Sequence, residues 1–358
     1  MKIGIITFHF PLNYGATLQA YALQHCLEHM GHQAEIIDYQ PAYHTQKYNW
    51  RWSHFGINDS NLRYLALNRG FKRFCKRYLK TSRLYTSYED LQRDPPEADA
   101  YICGSDQIWC PHISNGDPAY FLDFAPEGTK RIAYAPSFGV AQISEKDMQN
   151  MAGYLKKFDR ISSRELSGKK LVGEMTGLDV DCVVDPTFLI EDYHSITTAP
   201  KIKKDYILEV ILQPSQLLES TARSLAAKTG LPIIRVYGFA FKRWKYQGRN
   251  LYPGPDGYVG LMQNAKYVVT NSFHATVFSL IFKRPFFVVA LSGSVTSKST
   301  RMTELLQPVR IPDRFLEKLD EENFQKLIDR SIDWDAVHEQ IHRQREVSVA
   351  FLKESLLS

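Results

Sequence analysis

The chain has 358 residues, of which 44% are hydrophobic and 23% are charged, and its formal net charge at pH 7 is +5. This length favours two domains, and this balance is typical of a globular protein with a sizeable core. The charge is too small to indicate nucleic acid as a partner, but it suits an anionic small substrate or an anionic membrane surface.

The cysteines and the apolar runs argue against several classes of protein. The five cysteines are scattered and never form a C-x-x-C pair, which indicates neither a disulfide framework nor a zinc site. The first ten residues lack the apolar length and the small-residue cleavage site of a signal peptide. No run approaches the roughly 20 apolar residues of a membrane span. We therefore expect a cytoplasmic protein without a metal site.

Alternating strand and helix patterns predict parallel β-sheets. A buried strand at residues 2–8, a helix at about 14–30 and a strand at 34–39 form a βαβ unit. Further short apolar strands are predicted at 100–103, 131–135, 160–163 and 182–184. The composition turns polar between residues 186 and 204, and we place a domain boundary there.

A second alternating series follows this boundary. Strands are predicted at 206–212, 232–237, 267–270 and 285–290, and helices at 214–229, 256–265 and 274–282. We expect an α/β fold of two Rossmann-like domains, residues 1–198 and 199–315, with a helical tail, 316–358, that packs across both. Two such domains face a cleft at the carboxyl ends of their strands, where ligands usually bind.

The segment from residue 267 to 282 is the most informative. A buried strand ends in Asn271 and Ser272, and His274 opens the next helix, which places an imidazole beside backbone N–H groups that attract anions. In the plainer interpretation, Ser272 only caps the helix and His274 is a first-turn residue.

An acid-free stretch surrounds this histidine. No Asp or Glu occurs between Asp256 and Glu304, whereas five lysines and arginines do. Such a stretch favours an anionic ligand. It also disfavours a retaining nucleotide-sugar glycosyltransferase, which usually has acidic residues in this region for its ribose.

Five motifs in order resemble one known family. They are NYGA at 13–16 with LQAYAL at 18–23, GSDQIW at 104–109, SRE at 163–165, VDPT at 184–187 and TNSFH at 270–274. The sequence resembles the polysaccharide pyruvyl transferases along nearly its whole length, and that family is similar in fold to GT-B glycosyltransferases. The resemblance implies an enzyme that moves the pyruvyl group of phosphoenolpyruvate onto two hydroxyls of a sugar in cell-surface or exopolysaccharide biosynthesis.

The resemblance assigns the donor side residue by residue. Arg164 matches the family's donor-binding arginine, and His274 matches its essential histidine. Many members have another arginine two residues before the histidine, where this chain has Ser272, which is typical of a Ser-Phe-His branch. We expect Arg301 to replace that arginine, and we place Lys298 and Asn271 on the donor side as well. A solvated Arg301 beside a plainly capped helix is an equal alternative.

The chemistry that the family performs requires these residue types. Phosphoenolpyruvate carries a carboxylate and a phosphate, which the planar guanidinium groups of Arg164 and Arg301 can bind. Its methylene must gain a proton and a sugar hydroxyl must lose one, and His274 can serve as acid or base. A second hydroxyl closes the ketal as phosphate leaves. We therefore expect no cofactor.

The acceptor side is expected at two strand ends of the first domain. The candidates are Asn13, Tyr14, Gly15, Ser105, Asp106 and Gln107. Asp106 is the candidate catalytic carboxylate, and Trp109 is a candidate platform for a sugar ring. Turn formation and helix capping are equal alternatives for these positions. We interpret Asp185, before a proline, as a turn residue rather than a catalytic group.

The segment from residue 61 to 80 combines basic and apolar residues at helical spacing. It is either an ordinary surface helix with a solvated basic face or a helix on the cytoplasmic membrane surface, which would suit a lipid-linked acceptor. The basic and aromatic run at 242–245 has no assignable role.

Two other functions stay open at this point. One is a GT-B-like glycosyltransferase that uses a nucleotide sugar. The other is a catalytically silent binding subunit of a polysaccharide assembly complex, against which the presence of both Arg164 and His274 weighs.

Overall fold

A computed structural model describes residues 1–49, 59–237, 249–291 and 300–357. The predicted donor cation Lys298 and the basic run at 242–245 lie outside these residues. Each half of the chain forms one all-parallel β-sheet with helices around it. The predicted fold class, two Rossmann-like α/β domains, is confirmed.

The first sheet has seven strands in the order β3-β2-β1-β4-β5-β6-β7. They are β1 (Lys2–Ile6), β2 (Gln33–Tyr39), β3 (Thr81–Tyr85), β4 (Ala100–Cys103), β5 (Lys130–Ala133), β6 (Arg160–Ser163) and β7 (Asp181–Cys182). The strand order reverses between β1 and β4, so the loops after these two strands diverge and leave a crevice at the carboxyl edge. The residues after β1 and β4 therefore border one site.

The helices of the first domain cover both faces of this sheet. They are α1 (Tyr14–His29), α2 (Ala42–Asn49), α3 (Asp59–Tyr78), α4 (Tyr88–Arg93), α5 (Pro111–Ser114), α6 (Glu145–Leu155) and α7 (Leu166–Thr176).

The second sheet has six strands in the order β10-β9-β8-β11-β12-β13. They are β8 (Ile207–Ile211), β9 (Ile233–Tyr237), β10 (Arg249–Leu251), β11 (Tyr267–Thr270), β12 (Phe286–Val289) and β13 (Phe315–Leu316). Its helices are α8 (Gln216–Thr229), α9 (Pro255–Asn264), α10 (Phe273–Ile281) and α11 (Thr300–Leu306). The order reverses between β8 and β11, so the residues after these strands border a second crevice.

Two helices follow the second sheet, α12 (Glu321–Asp329) and α13 (Trp334–Leu357). Helix α13 contacts both domains. The Ser348 hydroxyl accepts a hydrogen bond from the backbone N–H of Val184 at 2.9 Å, and Nε2 of His338 lies 2.9 Å from the Leu280 carbonyl oxygen. The domain limits at 198 and 315 stay predictions, although β13 extends the second sheet to Leu316.

Aromatic rings and a close backbone approach join the two domains. The Tyr14 ring stacks on Tyr258 with 4.3 Å between centroids, and its hydroxyl donates to the Pro253 carbonyl at 2.9 Å. Gly70 of α3 lies so near Gly254 that a methyl group on Gly70 would fall 2.8 Å from the Gly254 Cα. The two crevices therefore meet across a tightly packed contact. Within the described ranges, no helix is both long and apolar enough to cross a bilayer.

Candidate functional site

Helices α1 and α10 begin beside the same cavity. Asn13 caps α1, and its Oδ1 accepts from the backbone N–H of Gly15 at 2.9 Å. Ser272 caps α10, and its hydroxyl accepts from the N–H of Ala275 at 3.5 Å. Asn13 and Ser272 both line the cavity, which has a volume of about 360 Å³. The positive ends of two helix dipoles therefore meet there.

The imidazole of His274 packs directly on Gly15, which joins the two domains at this ring. A methyl group at Gly15 would fall 2.0 Å from Nδ1 and 2.3 Å from Cγ of His274. Gly15 lies within the first turn of α1, where alanine is otherwise well accepted. The ring, rather than the backbone, therefore requires glycine at this position.

A buried carboxylate lies on the other side of the imidazole. Oδ2 of Asp185 is 3.3 Å from Nε2 of His274, an ion-pair distance without ideal hydrogen-bond alignment. The same oxygen accepts from Nη1 of Arg164 at 2.8 Å and from the Ser105 hydroxyl at 3.0 Å. Oδ1 accepts from the N–H of Thr187 at 3.0 Å and from its hydroxyl at 2.7 Å. Asp185 is thus held by both of its oxygens.

Charge and hydrogen bonds overcome the effect of burial on the pKa of Asp185. Burial alone would raise the pKa of this carboxyl. The neighbouring His274 and the charge of Arg164, with the hydrogen bonds from Thr187, instead hold the pKa of Asp185 well below its usual range. Asp185 is therefore ionised inside the protein.

Arg164 is enclosed by carboxylates. Its side chain is 2% exposed, Nε donates to Glu165 at 3.0 Å, and Nη1 donates to Asp185. Its guanidinium carbon lies 4.4 Å from the centre of the Phe273 ring. Burial alone would lower the pKa of the guanidinium, but the charges of Glu165 and Asp185 raise it above its ordinary value. Only Nη2 has no hydrogen-bond partner among the described residues.

Arg301 is buried on the other side of the same aromatic ring. Its guanidinium carbon lies 5.8 Å from the centre of the Phe273 ring, and Nε has no hydrogen-bond partner in the described part of the chain. Burial, followed by the charge of Arg164, lowers the pKa of Arg301. The structure shows no carboxylate in contact with this guanidinium within the described ranges. An anionic ligand would meet this electrostatic need.

Arg301 and Phe273 separate two cavities. The polar lining of the larger one consists of Asn13, Asp106, Gln107, Gln213, Asn271, Ser272, His274 and Arg301. The smaller one has a volume of about 240 Å³ and is bordered by Arg164, Glu165, Asp185 and Glu304. Most of the predicted site residues therefore come together, but Arg164 lines the second cavity and not the one that His274 lines.

Asp106 has a left-handed backbone, with φ of +77°. Such a conformation is unusual for a residue other than glycine, and it often occurs at functional sites. Its Oδ1 accepts from the N–H of Gln107 at 2.8 Å, and both side chains line the larger cavity. Asp106 therefore presents to this cavity a carboxylate that one hydrogen bond already orients.

Three other predicted residues make contacts within the protein. Tyr14 is buried between the domains, and Ser105 is buried with its hydroxyl on Asp185. Oδ1 of Asn271 accepts from the backbone N–H of Leu212 at 3.0 Å, and its Nδ2 donates to the Gln213 carbonyl at 2.5 Å. These side chains shape the site, and their polar groups are already occupied.

One interpretation made from the sequence needs correction, and a second is confirmed but incomplete. Trp109 cannot contact a sugar, because it is fully buried, stacks on Phe121 and donates its indole N–H to the Tyr120 carbonyl at 3.1 Å. Asp185 does cap the short 3₁₀ helix Pro186–Leu189, as a turn residue would, but it also lies between Arg164 and His274. The feature of the sequence that indicates this role is the position of Asp185, a carboxylate at a strand end within one of the five motifs.

Comparison with known families decides the identity of the chain. The sequence model of the polysaccharide pyruvyl transferases matches residues 13–293. The chain belongs to this family. The matched part of the chain contains Asn13, Asp106, Arg164, Asp185 and His274 and ends before Arg301. Comparison with curated proteins gives no match.

Solved structures show that this chain has a GT-B-like fold. The UDP-GlcNAc 2-epimerase of Neisseria meningitidis covers 99% of this chain and 100% of its own, with 9% identity and a TM-score of 0.52. A spinosyn rhamnosyltransferase covers 100% of both chains, with 8% identity and a TM-score of 0.51. At such identities the likeness concerns the fold alone, and it confirms the predicted GT-B-like arrangement.

Proposed function

We propose that this transferase moves the pyruvyl group of phosphoenolpyruvate onto two hydroxyls of a sugar during synthesis of a cell-surface or extracellular polysaccharide. The observation that supports the proposal best is Arg301, a buried guanidinium beside the cavity where two helix N-termini and His274 meet. A cation and two helix dipoles suit a donor that carries a phosphate and a carboxylate. The imidazole suits the proton transfers that the donor's enol phosphate needs.

The donor fits the larger cavity better than the smaller one. Arg301 lines both cavities. The smaller cavity is also bordered by three carboxylates, those of Glu165, Asp185 and Glu304, of which the first two pair with Arg164. Among the described residues, the larger cavity is lined by one carboxylate, that of Asp106, and by one cation, Arg301. Its volume of about 360 Å³ lies within the range of small-molecule sites.

The reaction moves two hydroxyl protons. His274 takes the proton of the first sugar hydroxyl and passes it to the methylene carbon of phosphoenolpyruvate, while that hydroxyl attacks the adjacent carbon as it becomes electrophilic. The second hydroxyl then displaces phosphate from the same carbon, and its proton passes by way of Asp106 to the departing phosphate. One hydroxyl proton thus ends on the new methyl group and the other on phosphate.

The acceptor would enter from the first-domain side of the cavity. Asn13, Asp106 and Gln107 border the cavity from that domain. The Asp106 carboxylate can accept hydrogen bonds from sugar hydroxyls, and the Gln107 Nε2 has no partner among the described residues.

Release of phosphate from phosphoenolpyruvate tests this function. Galactose-, glucose- and mannosamine-type acceptors are offered one at a time, and the proposal expects release that depends on one of them. Consumption of a nucleotide sugar by a protein that leaves phosphoenolpyruvate intact would establish the glycosyltransferase alternative. A protein that binds a glycan but turns over neither donor would be the silent subunit.

Loss of Arg301 is expected to weaken donor binding. A charged hydrogen bond contributes about 1.5–3 kcal/mol, so Arg301→Ala should raise the KM for phosphoenolpyruvate by roughly 10–150-fold. Ser272→Arg in the same variant should recover part of this loss, because the cation would return to the position that many family members use. Steady-state kinetics give both values.

Arg284→Ala is the matched control for this prediction. Arg284 also lies in the acid-free stretch, but its Nε donates to the Phe282 carbonyl at 2.8 Å and it lines neither cavity. Its loss should leave the KM unchanged. A wild-type KM in the Arg301→Ala variant would show that Arg301 does not bind the donor.

Helix α3 is the predicted basic helix, and we propose that it contacts an anionic membrane surface. Leu67, Phe71 and Phe74 are buried on its inner side. The basic residues exposed on its outer side are Arg69, Lys72, Arg73, Lys76 and Arg77. Among the described side chains only Arg73 pairs with a carboxylate, that of Asp256 at 3.3 Å. Such a face suits a protein whose acceptor is lipid-linked.

Reversal of two charges on α3 tests this contact. Each basic residue near an anionic membrane contributes about 1 kcal/mol, so the double variant Lys72→Glu/Lys76→Glu should bind phosphatidylglycerol vesicles at least roughly 30-fold more weakly. Lys201→Glu/Lys203→Glu makes the same change at exposed positions elsewhere and should bind as the wild type does. Equal losses in both variants, measured by vesicle sedimentation, would show unspecific attraction and contradict the proposal.

A further inference from the structure

We infer that Asp185, held by Arg164, is a positioning residue that fixes the proton of His274 on Nε2. Nδ1 is then the nitrogen of the neutral ring that can accept a proton. The catalytic part of this inference rests on the proposed function, whereas the state of the imidazole does not.

The Asp185 carboxylate has one orientation. Thr187 occupies Oδ1 with two hydrogen bonds, and Ser105 and Arg164 both donate to Oδ2. The side chain is 0% exposed, so water does not compete for these oxygens. The ionised Oδ2 faces Nε2 of His274 at 3.3 Å and favours a proton on that nitrogen. Catalytic hydrogen bonds are often long before a ligand binds, and this one can shorten in the complex.

Arg164 serves the carboxylate rather than the donor. Two of its three nitrogens donate to Glu165 and Asp185, and these carboxylates balance its charge. A buried carboxylate without such a partner would bind a proton and could no longer accept from Nε2. The role of Arg164 would therefore differ from the donor-binding role that the family resemblance implies.

The imidazole is held from two sides by the first domain, although it belongs to the second. Gly15 supports the ring near Nδ1 and Cγ, and Asp185 faces Nε2. The orientation of His274 therefore depends on how the two domains pack.

Long-range ¹H–¹⁵N NMR of the His274 ring in the full-length protein tests the inference without any substrate. The wild-type ring, when neutral, is expected to carry its proton on Nε2. Asp185→Asn should abolish this preference, because an amide can either accept from or donate to Nε2. A wild-type ring with its proton on Nδ1, or the same preference in both proteins, would overturn the inference.

Glu209→Gln is the matched control for the loss of a buried carboxylate. Glu209 is also 0% exposed, and it forms an ion pair with Arg235 at 2.5 Å. This ion pair joins the neighbouring strands β8 and β9 of the second sheet. This variant should leave the ring signals and the kinetics of His274 unchanged, whatever its effect on the unfolding temperature. If the signals of the His274 ring also changed in Glu209→Gln, the effect of Asp185→Asn would come from a general loss of packing in the protein. That result would contradict the inference.

Kinetics separate the two roles of Arg164 and do not depend on the fold of the Asp185 variant. Arg164→Lys keeps the charge but loses the planar fork. If Arg164 is a positioning residue, Arg164→Lys is expected to lower kcat at least tenfold and to leave the KM for phosphoenolpyruvate unchanged. A raised KM with an unchanged kcat would overturn its positioning role. If the wild-type protein turned over no phosphoenolpyruvate, the proposed function would fail, while the NMR result would still decide the role of Asp185.

Discussion

Replacement of His274 by alanine is expected to lower kcat by roughly 10²–10⁴-fold, with little change in the KM for phosphoenolpyruvate. The ring lies between Gly15 and Asp185 and lines the cavity that Arg301 also lines. Its loss removes the proton donor for the methylene carbon but leaves Arg301 and the helix N-termini to bind the donor. Steady-state kinetics with saturating acceptor measure both constants.

His338→Ala controls for the loss of a partly buried imidazole. Nε2 of His338 lies 2.9 Å from the Leu280 carbonyl, outside the two cavities, so its loss should leave kcat near the wild-type value. A His274→Ala protein with full turnover and a changed donor affinity alone would show that His274 binds the donor and does not transfer protons.

Gly15→Ala is expected to lower kcat by about 100-fold or more, although Gly15 itself transfers no proton. The added methyl group would fall 2.0 Å from Nδ1 of His274, so the ring must move, and a displacement of about 1 Å can cost this much in rate. The α-helix itself should accept alanine, since Gly→Ala in a helix stabilises by up to about 1 kcal/mol. We therefore expect a folded Gly15→Ala protein with a low kcat.

Gly153→Ala is the control, because Gly153 lies in helix α6 and a methyl group there would have no neighbour within 4 Å. It should keep the wild-type kcat. In the His274→Ala background, Gly15→Ala should have no further effect on kcat, since the two changes act through one ring. Additive losses in this double-mutant cycle would contradict the assigned contact.

Most of the fold could be predicted because its strands are short apolar runs between clear turn signals. The strand at 267–270 has the predicted limits, and the helix expected at about 14–30 is observed as Tyr14–His29. Strand β3 (Thr81–Tyr85) was not predicted. It is an edge strand with mostly exposed or half-buried side chains, so its sequence has no apolar periodicity.

The site could be predicted in part. Asn13, Asp106 and His274 follow strands at the two switch points, and the topology of parallel sheets brings such positions together. The partners of Asp185 could not be foreseen, because hydrogen bonds to Arg164 and contact with His274 join segments that are far apart in sequence. A carboxylate before a proline looks like a turn residue by itself, and Asp185 is one as well.

The most direct test of the central claim is ¹³C NMR of the acceptor after reaction with phosphoenolpyruvate labelled at its second carbon. The account predicts that the label appears on the sugar as a ketal carbon bonded to two sugar oxygens, with one phosphate released for each ketal. His274→Ala should slow both signals equally. Phosphate release with the label found only in free pyruvate, or sugar transfer from a nucleotide sugar while phosphoenolpyruvate stays intact, would contradict it.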